Sequence, residues 1–108
     1  MEVRPVDALV LAVRPESAAE LLDGKRRVEH RRMPPRRLPA RAYMAVSGTG
    51  TVIGECLLDP PERKTAQGWA LPVREPRRYA RPRPLSAYGL EKIPRSFRYL
   101  RRATRAKT

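Results

Sequence analysis

Gly24, Arg26, Glu29 and Arg31 gather a carboxylate between two guanidinium groups within one short segment. On a strand, residues two apart share a face, so Glu29 and Arg31 point to the same side and can pair or orient a ligand there. An arginine stays protonated at any working pH. Arg26 can therefore clamp a phosphate or stabilise an oxyanion, but cannot serve as a general base. Lys25 is adjacent, and would lie on the opposite face if the strand began there. Lys25, Arg26 and Glu29 are thus the candidate catalytic groups for an enzyme. Arg26, Glu29 and Arg31 are the candidates for contacting a ligand. Other chemistries lack their parts. The chain has one histidine, His30, and one cysteine, Cys56, too few for a zinc site of the usual Cys/His kind. A hydrolase triad has no recognisable arrangement. Gly48-Thr49-Gly50 lacks the Gly-Lys-Ser/Thr of a phosphate loop. No metal and no cofactor is expected.

The elements that must hold these residues are short. Asp7 to Val13 reads as a central strand. Pro15 starts a helix favoured by Glu16 in its first turn, with an apolar stripe of Ala18, Leu21 and Leu22. Asp23-Gly24 closes it, Gly24 supplying the left-handed cap. Arg27 to Arg32 resumes as a strand, with Val28 and His30 on one face and Arg27, Glu29 and Arg31 on the other. Met33 to Pro39 holds three prolines and reads as an exposed basic loop. Arg41 to Ser47 and Thr51 to Leu58 form a hairpin across Gly48-Thr49-Gly50, and Cys56 is expected to be inert core. Gly68 to Val73 is a short strand carrying Trp69, expected in the core. Arg74 to Leu85 is broken by prolines and is expected to be irregular. Ser96 to Leu100 closes the domain with Phe97 and Tyr99 on one face. Together these elements predict an α+β fold, a small β-barrel with one or two short helices. Residues 1–100 form a single domain, and 101–108 a basic, flexible tail.

The 108 residues carry 24 Lys+Arg against 11 Asp+Glu, a formal charge of +13. Twenty of the cations are arginine, whose planar fork suits phosphate and stacks on bases. They concentrate in two places, Arg26 to Arg41 and the stretch from Arg74 onward, and these could converge into one patch. Arg36 and Arg37 in the first, and Arg77 and Arg78 in the second, are the expected phosphate contacts. RNA is the expected partner, with DNA as the alternative, although no helix-turn-helix pattern is visible. No apolar run approaches the roughly 18 residues that span a bilayer, and no membrane partner or signal peptide is expected. One cysteine cannot form an internal disulfide and fits a reducing, cytoplasmic setting.

Gly24-x-Arg26-x-x-Glu29-x-Arg31 resembles the Gly-x-Lys-x-x-Glu-x-Arg signature of the ASCH domain, a branch of the PUA-like superfamily. Arginine stands here where the signature has lysine. Val52-Ile53-Gly54-Glu55 resembles the family's barrel strand, the Trp69 segment its later aromatic strand, and Pro94 to Leu100 its closing segment. The resemblance implies a β-barrel with a cleft between the helix and the motif strand, and commonly RNA binding. Some relatives are enzymes, acting as ribonucleases or removing acyl groups from modified nucleosides, with the motif lysine a leading catalytic group. Arg26 at that position argues against the acyl-removing activity here.

Overall fold

A computed structural model describes residues 6–100; the tail expected over 101–108 lies outside them. Seven strands and one α-helix follow the chain: β1 (Asp7–Val13), α1 (Pro15–Leu22), β2 (Val28–Arg31), β3 (Ala40–Val46), β4 (Thr51–Leu58), β5 (Arg63–Thr65), β6 (Gly68–Pro84) and β7 (Phe97–Tyr99). A single 3₁₀ turn, Leu85–Tyr88, separates the last two. The strands run in the order β2-β6-β4-β3-β1-β7, with β5 added to β6. β1 pairs β3 in parallel, and the other neighbours are antiparallel. This curled mixed sheet with one helix is the small α+β barrel that the sequence predicts.

Strand alternation divides the core. Leu9, Leu11 and Val13 of β1 join Ala42, Met44, Cys56, Leu58 and Leu71 on one face, where α1 adds Ala18, Leu21 and Leu22. Val10 points the other way, into a smaller cluster with Ala45, Val52, Tyr79, Leu85 and Leu90. Helix α1 begins as expected: Arg14 is extended, Pro15 sits in the first turn, and the Ala18 N–H donates to the Arg14 carbonyl at 2.9 Å. It ends at Leu22, with Asp23 as its C-cap and Gly24 following at φ 78°. The helix seats on β4 at Gly54. A Cβ there would lie 2.7 Å from both the Arg77 carbonyl oxygen and a Leu22 methyl.

The sheet departs from expectation after Leu58. Arg74 to Pro84 is not irregular but continues β6 alongside β4. Pro76 and Pro82 are accommodated because the ladder slips where they fall, and Pro84 ends the strand. Glu75 and Pro76 lie between the pairs Leu57↔Arg74 and Glu55↔Arg77, and Pro82 lies between Gly54↔Arg78 and Val52↔Arg83. Proline cannot donate to a ladder, and a bulge asks for no donor. Strand β5 was also unexpected. Arg63-Lys64-Thr65 has no apolar alternation, and turn chemistry holds it: the Thr65 hydroxyl donates to the Gly68 carbonyl at 2.9 Å and accepts from the Gln67 N–H at 3.1 Å.

The tight seat at Gly54 predicts that Gly54→Ala lowers the unfolding free energy by about 1–3 kcal/mol, the usual penalty of overpacking. Urea denaturation measures this. An unchanged midpoint would contradict close docking of α1 on β4.

Candidate functional site

The two edges of the sheet order, β2 and β7, are not joined by a backbone ladder among the described residues. The Arg31 side chain spans them. Its Nε donates to Glu29 Oε2 at 2.8 Å, Nη2 to the Ala12 carbonyl of β1 at 2.6 Å, and Nη1 to Ser96 Oγ at 3.1 Å, just before β7. Glu29 is buried, 6% exposed, and its other oxygen accepts from Arg26 Nη2 at 3.3 Å. Glu29 and Arg31 thus share a face, as the alternation predicts. Arg31, however, spends its donors on the protein itself and acts as a strut.

A cleft of about 540 Å³ opens where the strut closes the sheet. Arg14 and Ser17 at the start of α1 line it, with Glu29, Arg31 and Arg32 from β2 and beyond, and Gln67 and Ser96 opposite. His30 also lines it, although alternation assigns it to the other face with Val28. Arg26 and Lys25 do not line it. Arg26 is held between Glu29 and Glu20, the latter 3.7 Å from its Nε. Lys25 is exposed on the bend before β2, not on the strand. The motif therefore splits: Glu29 and Arg31 build the cleft wall, whereas Arg26 supports Glu29 from behind. Arg14, Ser17 and Arg32 were not selected from sequence as ligand residues. The alternation of β2 carries no sign of Arg14 or Ser17, which tertiary folding brings to it.

A second buried carboxylate, Glu55, was also missed. It accepts from Arg41 at 2.6 Å and from the Tyr79 hydroxyl at 2.9 Å. The Tyr88 hydroxyl donates to that of Tyr79 at 3.2 Å, and the Arg83 guanidinium stacks on the Tyr79 ring at 3.7 Å. A glutamate inside an otherwise apolar strand was the available signal. Burial, and then the hydroxyl of Tyr88 and the carboxylate of Glu55, push the Tyr79 phenol well above its ordinary range. Burial likewise pushes the Cys56 thiol up to about 12, with the Glu29 and Glu55 charges adding to it, so Cys56 is inert core as expected. Trp69 is half-buried and packs against the main core. Among the described residues, no group of three or more His, Cys, Asp or Glu side chains could hold a metal ion.

The two arginine-rich segments occupy different parts of the sheet. Arg37 stacks on the Tyr99 ring of β7 at 3.7 Å and pairs with Asp7 at 3.5 Å, with Arg36 exposed beside it. Arg77 and Arg78 lie exposed on strand β6 rather than in a loop, with β4, β3 and β1 between them and β7. Arg78 is tied to Asp23 at 3.3 Å.

No family model and no curated protein matches the sequence. Solved structures do match the fold. A Tyr-to-Phe mutant of ZmASCH from Zymomonas mobilis has a TM-score of 0.71 at 22% identity, covering 88% of this chain and 91% of its own. A Ser-to-Ala mutant has a TM-score of 0.72 at 20% identity, covering 93% and 92%. The unsubstituted protein gives 0.68 at 21% identity, covering 88% of each chain. The chain has the ASCH fold. Within that fold, the predicted cleft between helix and motif strand is present, and Glu29 and Arg31 stand in its wall.

Two outcomes follow from the burial of this ASCH core. Glu29→Gln leaves two guanidinium groups facing a neutral amide and is expected to cost about 3 kcal/mol of stability. Glu20→Gln, at the exposed end of the same chain of charges, costs about 0.5 kcal/mol or less. Thermal melts separate the two, and equal effects would contradict the wall role of Glu29. Cys56 titrates at about 12 when folded, against an ordinary value of 9.0. Above pH 9 the unfolded chain releases a proton that the folded chain keeps, so stability falls as pH rises from 9 toward 12. Cys56→Ala should remove about 1.4 kcal/mol per pH unit of that slope; an unaltered slope would refute it.

Proposed function

We propose that this chain is an RNA-binding module that takes RNA or a nucleotide in the cleft walled by Glu29, Arg31 and Ser96. The observation that carries this reading is the charge state of the cleft. Its one carboxylate, Glu29, is already bonded to two guanidinium groups, while exposed Arg14 and Arg32 line the same space and form no ion pair with an acidic side chain among the described residues. The opening is therefore electropositive, and Ser17, Ser96 and Gln67 offer the hydrogen-bonding groups that distinguish a base or sugar from any other anion. Arg77 and Arg81, exposed on β6, and Arg36 beside β7 are the proposed phosphate contacts outside the cleft. The overall charge of +13 favours such a polyanion at long range. The setting we propose is cytoplasmic. No helix among the described residues is long and apolar enough to cross a membrane.

The experiment is a fluorescence-anisotropy titration of single-stranded RNA at several salt concentrations, with duplex DNA at matched salt as the comparator. Log affinity should fall with log salt by about 0.7 for each phosphate engaged. Arg77→Ala with Arg81→Ala should flatten that slope and weaken all sequences alike. Gln67→Ala should reduce discrimination among RNA sequences. Absence of RNA affinity at about 50 mM salt, or a preference for duplex DNA, would overturn the proposal. On acylated cytidine the protein should show no turnover near about 1 per second, because Arg26 offers no free lone pair.

A further inference from the structure

A second depression, of about 770 Å³, lies beside the β5–β6 turn. It shares Arg32, Met33 and Gln67 with the cleft and extends it past Lys64, Thr65 and Gly68. The two depressions adjoin at these three residues, and together make a groove longer than the cleft alone.

We infer that this groove takes a single-stranded RNA segment of more than one nucleotide, with Met33 as the platform for the base that follows the one in the cleft and with Arg32 and Lys64 on the connecting phosphates. The inference rests on the RNA reading above and gives it a substrate class. Three features carry it. Met33 is 81% exposed and lines both depressions, so an adaptable, polarisable thioether is open to the face of a base at their junction. Lys64 is exposed and lines the extension, where it adds a positive charge to that of Arg32. No carboxylate lines the extension, so a polyanion enters without repulsion while an acidic rim to exclude it is missing. The wall is also preformed. The Thr65 hydroxyl locks the turn, and at Gly68 (φ 116°) a Cβ would stand 2.8 Å from the Arg31 carbonyl, so the turn packs directly against the end of β2. Bases of a duplex are paired and stacked on each other, and only a single strand can offer one to Met33.

The test compares uridine monophosphate, a uridine hexanucleotide and a blunt RNA duplex by calorimetry or anisotropy at about 100 mM salt, using the full chain. The hexanucleotide should bind at least about tenfold tighter than the mononucleotide, and tighter than the duplex. Lys64→Glu, on an exposed side chain that lines only the extension, should weaken the hexanucleotide by about fivefold or more and leave the mononucleotide unchanged, whereas Met33→Asp, at the junction with the cleft, should weaken both. A hexanucleotide that binds no better than the mononucleotide, or variants that leave it unaffected, would overturn the extended groove while the cleft reading stands. Displacement of the hexanucleotide by polyglutamate of equal charge would overturn it too, by showing that charge alone is read. Failure of every RNA to bind would remove both readings together.

Discussion

The Glu29 carboxylate is the constraint on which the rest of the site depends. It is buried on a strand of only four residues at one edge of the sheet, and a lone buried carboxylate would be prohibitively desolvated. Two arginines answer it. Arg31 meets it at 2.8 Å and carries on to the Ala12 carbonyl and to Ser96, so neutralising Glu29 also ties β2 to the opposite edge of the sheet. A buried pair of this kind adds little net stability, but breaking it is expensive. Its value here is geometric. Guanidinium donors lie in one plane with fixed directions, and they close the curled sheet at a point where no backbone ladder does.

That closure defines what the cleft can recognise. With its single acid neutralised internally, the opening presents arginine and hydroxyl groups. Such a surface favours a negatively charged, hydrogen-bonding ligand over an apolar one. The second buried carboxylate, Glu55, follows the same physical rule on the other face of the sheet, where Arg41 and the Tyr79 hydroxyl satisfy it. It braces the far end of β6, the strand whose exposed arginines flank the domain.

Local signals were legible where side chain and backbone agree. Pro15 and Gly24 bracket α1 because each suits a backbone geometry that few other residues adopt. Apolar alternation through Asp7–Val13 and the Gly48-Thr49-Gly50 turn specify β1 and the β3–β4 hairpin. The alternation also put Glu29 and Arg31 on one face. What escaped notice depended on partners distant in sequence. Pro76 and Pro82 read as strand breakers, and only the bulged pairing with β4 makes them acceptable. Arg26, Glu29 and Arg31 look equivalent along the chain, yet the approach of Glu20 and Glu29 takes Arg26 out of the cleft. Arg14 and Arg32 meet at the cleft because folding brings the start of α1 beside the end of β2, a relation that no spacing along the chain expresses.

The central claim is that RNA is taken at the wall built by Glu29 and Arg31. Amide chemical-shift mapping during titration with a short single-stranded RNA tests it most directly, because it locates contact residue by residue without perturbing the strut. The account predicts saturable shifts concentrated at Ser17, His30, Arg32, Gln67 and Ser96, with smaller ones along β6. Shifts confined to Arg77–Arg83 and the outer face, with the cleft residues silent at saturation, would contradict it.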